Sequence, residues 1–179
     1  MILKIQITVI ILSLLLIASS CALFQSAGDW CKRGNDLAKK EKYEEAMKCF
    51  DKAIEIDPND ADAWHNKALA LCNLKKYKES IKYFDKSLKI RSNDATVWNN
   101  RGLTLYYLKK YEGAIKCFDK SLKIRSNFAS NWKGRNAWER KGDALCVQFN
   151  YEEAVKCYDK AIEINPDNAH AWENKGEAL

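Results

Sequence analysis

The stretch WCKRGNDLAKKEKYEEAMKCFDKAIEIDPND, residues 30–60, decides the fold of this chain. It returns with 16 of its 31 residues identical as WERKGDALCVQFNYEEAVKCYDKAIEINPDN at residues 138–168, and twice in more diverged form between them. A fixed period of this length is typical of stacked supersecondary units, so the chain is predicted to be an array of repeats. A tryptophan opens each copy, at a spacing of 34 residues that breaks only between the third and the fourth: Trp30, Trp64, Trp98, Trp138 and Trp172.

Each copy predicts two amphipathic helices followed by a breaker such as DPND at 57–60. Gly34 and Ala46 are small where the two helices would approach closely, and Phe50 would fill the gap between neighbours. No single hairpin can bury its apolar stripe, so stability is expected to come from stacking. The small residues of the first helices are Gly34, Ala68, Gly102, Gly142 and Gly176, and the aromatic residues of the second helices are Phe50, Phe84, Phe118 and Tyr158.

This pattern resembles the tetratricopeptide repeat, a helix–turn–helix of 34 residues with Trp, Gly, Ala, an aromatic residue and Pro at set offsets. Matching residues are Trp30, Gly34, Ala46, Phe50 and Pro58, and again Trp138, Gly142, Ala154, Tyr158 and Pro166. The resemblance implies an all-α, right-handed superhelical solenoid of antiparallel helix pairs. Within a domain at 29–179, repeats are predicted at 27–60, 61–94, 95–128 and 135–168, with a partial repeat at 169–179 and an insertion at about 129–134.

One position departs from the family pattern in every copy. The residue three after each Trp is usually Leu, but here it is a cation: Arg33, Lys67, Arg101, Lys141 and Lys175. Aliphatic stems of Lys and Arg can cover apolar surface while the charge reaches water. We expect these side chains to lie over the core in that way.

Residues 1–28 differ from the rest of the chain. Lys4 is the only charge before Asp29, and an almost wholly apolar run leads into small residues, so the segment is predicted to be a signal peptide or an N-terminal membrane anchor. The string LLIASSCA around Cys21 resembles the lipobox of prokaryotic lipoproteins, in which the Cys is lipidated. A lipidated, a cleaved and soluble, and an uncleaved anchored protein remain alternatives. All three predict a membrane-associated or exported protein on the extracytoplasmic side.

The resemblance implies that a peptide or partner protein binds in the concave groove, which the first helices line. Asn recurs there, and its side chain offers a donor and an acceptor to the backbone of an extended peptide. An envelope-complex assembly lipoprotein is an alternative within the same class. The predicted groove residues are Asn35, Asp62, His65, Asn66, Asn99, Asn100, Tyr106, Asn136 and Arg140.

Other functions find little support in the sequence. The chain has two His, no Gly-rich phosphate loop and no C-x-x-C motif, so we predict no enzyme, no cofactor, no metal ligands and no small-molecule substrate. The net charge of +6 is finely interspersed with acids, which argues against nucleic acid as a partner. The alternative of another class is a thiol or metal site at His65 and Cys72 on the inner face.

Overall fold

The computed structural model describes residues 26–126 and 135–179, without the side chains at 125, 126, 135 and 136. All regular secondary structure in these ranges is α-helical. The all-α class and the helical-pair solenoid predicted from the sequence are therefore confirmed. The helices are α1 (Ala27–Lys39), α2 (Tyr43–Ile56), α3 (Ala61–Asn73), α4 (Tyr77–Ile90), α5 (Ala95–Tyr107), α6 (Tyr111–Ser126), α7 (Arg135–Val147), α8 (Tyr151–Ile164) and α9 (Ala169–Ala178).

The described helices pack chiefly on their neighbours along the chain. Each of α1, α3, α5 and α7 packs against the helix that follows it, and each second helix packs against the next first helix. The first helices also contact one another in order, from α1 to α9. This pattern makes the described part of the chain a stack in which the first helices form one continuous inner face.

Close approach of the paired helices explains the small residues on the first helices. A Cβ atom on Gly34 would lie 2.5 Å from Phe50, and one on Gly102 would lie 2.7 Å from Phe118. The aromatic ring thus occupies the space that a side chain would need, as predicted. Gly176 on α9 differs, because no heavy atom lies within 4 Å of its Cβ position.

The recurring tryptophans fix the turns between pairs. The indole N–H of Trp64 donates to the carbonyl oxygen of Pro58 at 2.9 Å, and that of Trp98 donates to Ser92 at the same distance. Trp172 repeats the bond with Pro166. A buried or half-buried indole needs a partner for its one donor, and here that partner is the carbonyl six residues earlier.

An ion-pair ladder joins successive pairs. From the second repeat onward, the cation three residues after each Trp pairs with an Asp on the second helix of the preceding pair. The pairs are Lys67–Asp51, Arg101–Asp85, Lys141–Asp119 and Lys175–Asp159. The four cationic side chains are only 13% to 24% exposed. The sequence correctly predicted buried stems, but it missed that each charge is held by a carboxylate of the neighbouring pair.

The turns within the pairs share an unusual backbone. Glu41, Lys75, Lys109 and Phe149 each have φ between 58° and 60°, the left-handed region that favours glycine. After α3, the N–H of Lys75 donates to Cys72 and that of Lys76 donates to Leu71, both at 2.9 Å. These two bonds define a Schellman cap, a helix ending in which glycine normally takes the left-handed position.

Several sequence predictions fall on other parts of the chain. Cys21 and nearly all of the predicted signal or anchor at 1–28 lie outside the described residues, as does the insertion at about 129–134. Among the helices that the structure describes, none has the length and apolar character needed to cross a membrane.

Candidate partner-binding groove

The inner face is built from equivalent positions on successive first helices. We call each pair of neighbouring first helices a groove step, so the four steps are α1/α3, α3/α5, α5/α7 and α7/α9. In the second and fourth steps, residues one or five after the Trp of the earlier helix contact residues two before or two after the Trp of the later helix. His65 and Asn100 in the second step illustrate this, because their Nε2 and Nδ2 atoms are 3.1 Å apart.

The first step holds a cavity of about 470 Å³ with three Asn residues in its wall. One of them, Asn73, donates its side-chain amide to the carbonyl oxygen of Leu69. Asn35 comes from α1 and is exposed, whereas Asn66 comes from α3 and is half-buried. No hydrogen bond joins either side-chain amide to another residue in the described part of the chain. Both amides are therefore open to a ligand, together with Tyr43 and Leu69 in the same wall.

The second step holds a cavity of about 330 Å³. Leu69 and Leu103 line it, and Tyr77 stacks on Tyr107 at its rim with ring centroids 5.1 Å apart. Asn100 lies in its wall but already contacts His65. The two Leu and two Tyr side chains offer contact to an apolar or aromatic side chain. The same wall also holds polar groups, from Asn73, Lys75, Asn100 and Thr104.

His65 and Asp62 are held by their own neighbours. Burial lowers the pKa of His65, against the opposing effect of Asp94 and Asp62, so the imidazole is neutral at pH 7. The guanidinium of Arg91 donates two hydrogen bonds, of 2.8 and 3.1 Å, to the carboxylate of Asp62. Asp62 thus enters the groove as half of an exposed ion pair and not as a free carboxylate.

The structure corrects the prediction at Asn99. Its side chain is only 8% exposed, and within the described residues its Oδ1 atom is buried without a hydrogen-bond partner. A residue buried in this way is not offered to a partner. The side chain of Asn136, another predicted groove residue, lies outside the described residues.

Tyr106 and Arg140 are both half-buried on the inner face. Burial raises the pKa of Tyr106 and lowers that of Arg140. Tyr106 packs edge-on against Tyr107 and Tyr111, with centroid distances of 6.1 and 5.4 Å. These contacts fix Tyr106 at the boundary between the second step and the C-terminal half of the groove.

The thiol or metal alternative at His65 and Cys72 gains no support. The Cys72 sulfur lies 3.3 Å from Ser80 Oγ and 3.2 Å from Thr104 Oγ1, and His65 contacts Asn100. In the part of the chain that the structure describes, no group of three potential ligands includes either residue.

The fourth step contains a charged cluster that the sequence analysis did not recognise. His170 Nδ1 lies 2.9 Å from Glu139 Oε1, and Asp143 Oδ1 accepts hydrogen bonds from Tyr158 Oη at 3.0 Å and Asn174 Nδ2 at 2.8 Å. Burial raises the pKa of Asp143. A cavity of about 450 Å³ opens beside Asp143, His170 and Asn174. Comparing the inward-facing positions of two neighbouring first helices, and not of each helix alone, would have predicted this cluster.

Fold and groove together define a helical-repeat scaffold of the kind that binds other proteins. Two family models establish which one: a TPR repeat model matches residues 34–75 and 142–179, and a tetratricopeptide repeat model matches residues 59–127. The chain belongs to the tetratricopeptide repeat family.

A short stretch of the chain is similar to one curated protein. The chain is 49% identical over 39 residues to the uncharacterized protein MJ0572 of Methanocaldococcus jannaschii, a match that covers 22% of this chain. The matched segment spans about half of that relative, 45% of its length.

Solved structures resemble the whole stack. The MamA 41-end structure from Desulfovibrio magneticus RS-1 has a TM-score of 0.77 at 20% identity, over 85% of this chain and 82% of that solved chain. PilF of Pseudomonas aeruginosa has a TM-score of 0.77 at 22% identity, over 86% and 67%. The TPR domain of Arabidopsis OM64 has a TM-score of 0.61 at 20% identity, over 66% and 93%. At these identities the likeness shows the shared fold.

Proposed function

We propose that this chain is a non-enzymatic scaffold that binds an extended segment of a partner protein along its concave groove. The observation that carries the proposal is the pair of unpartnered amides in the first step, where Asn35 and Asn66 line one cavity. An amide with a free donor and a free acceptor can bind both polar groups of a peptide backbone. The family's role in protein interaction supports the same conclusion.

The second step supplies the side-chain specificity of this proposed site. Its cavity adjoins the first, since Leu69 lines both. A segment whose backbone is held by the two Asn would place a neighbouring side chain over Leu69, Leu103 and the stacked Tyr77 and Tyr107. We therefore expect the partner segment to carry an apolar or aromatic residue beside the clamped peptide units.

Site-specific photo-crosslinking in the cell tests this proposal. A photoreactive amino acid at Leu103, in the second cavity, should capture the partner, whereas the same group at Lys86, exposed on α4, should not. The double variant Asn35→Ala/Asn66→Ala should reduce the Leu103 crosslink at least tenfold, while the exposed turn variant Asn93→Ala leaves it unchanged. Equal capture from both positions, or a crosslink indifferent to the Asn variants, would refute groove binding.

We also propose that residues 1–28 place the scaffold at the extracytoplasmic face of a membrane. The support is the charge pattern around Lys4 and the lipobox-like string that ends at Cys21. Intact-mass analysis of the protein extracted from membranes should show a chain that begins at Cys21 and carries acyl mass, and Cys21→Ser should lack it. A wild-type chain that keeps residues 1–20, or one cut there without added mass, contradicts lipidation.

A further inference from the structure

The groove steps share one geometry but differ in chemistry at equivalent positions. Three positions matter: one and five residues after the Trp of the earlier helix, and two before the Trp of the later helix. They hold Cys31, Asn35 and Asp62 in the first step, His65, Leu69 and Thr96 in the second, Asn99, Leu103 and Asn136 in the third, and Glu139, Asp143 and His170 in the fourth. Only the fourth step combines two carboxylates with an imidazole.

These three side chains converge. One potential ligand atom from each of Glu139, Asp143 and His170 lies within 4.8 Å of the other two. The closest contact is 2.9 Å, between His170 Nδ1 and Glu139 Oε1. Tetrahedral ligation with bonds of about 2.1 Å requires roughly 3.4 Å between two ligand atoms, so a small separation of these two side chains would admit the ion. Asp143 lies four residues after Glu139 on α7, so both carboxylates project from one helix face.

We propose that Glu139, Asp143 and His170 form a binding site for a divalent transition metal ion such as Zn²⁺. The two helices α7 and α9 supply the ligands, and the adjoining cavity leaves the remaining coordination positions open toward the groove. Imidazole and carboxylate ligands suit Zn²⁺ and the neighbouring first-row metals.

Outer hydrogen bonds orient the ligands. Asn168 Nδ2 donates to Glu139 Oε2 at 2.7 Å, which leaves Oε1 directed at His170. Tyr158 and Asn174 both donate to Oδ1 of Asp143, which fixes the orientation of this carboxylate. Such second-shell bonds hold ligating carboxylates and imidazoles in position in metalloproteins.

Charge balance independently favours a cation here. Each ladder Asp meets a Lys or Arg, but within the described residues no Lys or Arg nitrogen lies within ion-pair distance of Glu139 or Asp143. Arg140 interacts with both only at longer range. His170 can offer Glu139 a direct positive charge only when its imidazole is protonated. A divalent ion would neutralise both half-buried carboxylates.

Calorimetric titration of the full chain with Zn²⁺ at pH 7 tests the site. We expect one equivalent of Zn²⁺ to bind. His170→Ala and Asp143→Asn should each weaken that binding at least tenfold. His65→Ala, which removes the chain's other histidine, is the matched control and should retain the wild-type affinity. Far-UV circular dichroism of each variant separates a lost ligand from a lost fold.

Titration with Co²⁺ distinguishes the proposed ligands from the free thiols. Nitrogen and oxygen ligation gives weak visible bands, whereas thiolate ligation adds intense charge-transfer absorption in the near ultraviolet. The proposal is overturned if no equivalent binds, if His170→Ala and Asp143→Asn keep the wild-type affinity, or if the charge-transfer band shows that cysteine holds the metal. The crosslinking result at Leu103 does not depend on any of these outcomes.

Discussion

Replacing Lys75 with Gly should stabilise this protein, although Gly usually weakens a helical structure. Lys75 closes α3 with φ at 58°, in a Schellman cap whose two hydrogen bonds come from backbone N–H groups. The side chain makes no described ion pair. A Gly at this position keeps both bonds and removes the clash between Cβ and the backbone.

The magnitude follows from two opposing effects. Holding an L-residue in the left-handed region costs about 1–2 kcal/mol, whereas Gly loses about 0.5–1 kcal/mol more backbone entropy on folding. The net gain should be about 0.5–1 kcal/mol at each turn. Glu41 and Lys109 share the conformation, and effects at well-separated sites add. The triple Gly variant should therefore gain about 2 kcal/mol.

Urea unfolding followed by circular dichroism measures this gain, and thermal unfolding should show the triple variant melting about 4–8 °C higher. Lys82→Gly is the matched control, because Lys82 is an exposed lysine inside α4. It should lose about 1 kcal/mol. If Lys75→Gly destabilises the protein as much as Lys82→Gly does, the left-handed backbone is not the source of strain and the reasoning fails.

Two further predictions concern His65 and the ion-pair ladder. Burial lowers the pKa of folded His65 below its ordinary value of 6.5, so the unfolded state binds more protons below that pH. The stability that this residue contributes is present above about pH 6.5 and lost as the pH falls, and urea unfolding of His65→Asn should depend less on pH between 7.5 and 5 than that of wild type. In the ladder, a double-mutant cycle of Asp85→Asn and Arg101→Met should give a coupling of about 0.5–1 kcal/mol, because Arg101 is largely buried but Asp85 is half exposed. A coupling indistinguishable from zero would mean that the ion pair adds nothing to the free energy of unfolding beyond what packing provides.

The sequence predicted the architecture because the repeat encodes it redundantly. Trp98, Gly102 and Phe118 each have a role that recurs every 34 residues, so a substitution in one copy does not hide the pattern. The left-handed turns escaped prediction for the opposite reason. The left-handed positions are occupied by Glu41 and Lys75 and not by Gly or Asn. Hydrogen bonds of the surrounding backbone impose the conformation.

The groove was less predictable because its chemistry depends on pairs of helices. An offset from Trp correctly indicates which face of one helix turns inward, but it cannot show how deeply a side chain lies under the next helix. Asn99 illustrates the limit, since its offset predicts an accessible residue and the stack buries it. The ion-pair ladder was missed for the same reason, because Lys141 and Asp119 come together only when two helix pairs are stacked.

The order of the groove steps has a consequence for the proposed partner. Open amides at Asn35 and Asn66 come first, an apolar and aromatic cavity around Leu103 follows, and the carboxylates and imidazole of the fourth step come last. Because the first helices hold these steps in fixed succession, one extended segment occupying them all must present its own groups in the matching order. Reversing that order in the segment would preserve its composition but misalign every contact. Specificity in such a groove therefore lies in sequence order and not in overall charge, and a reversed peptide is the control that distinguishes the two.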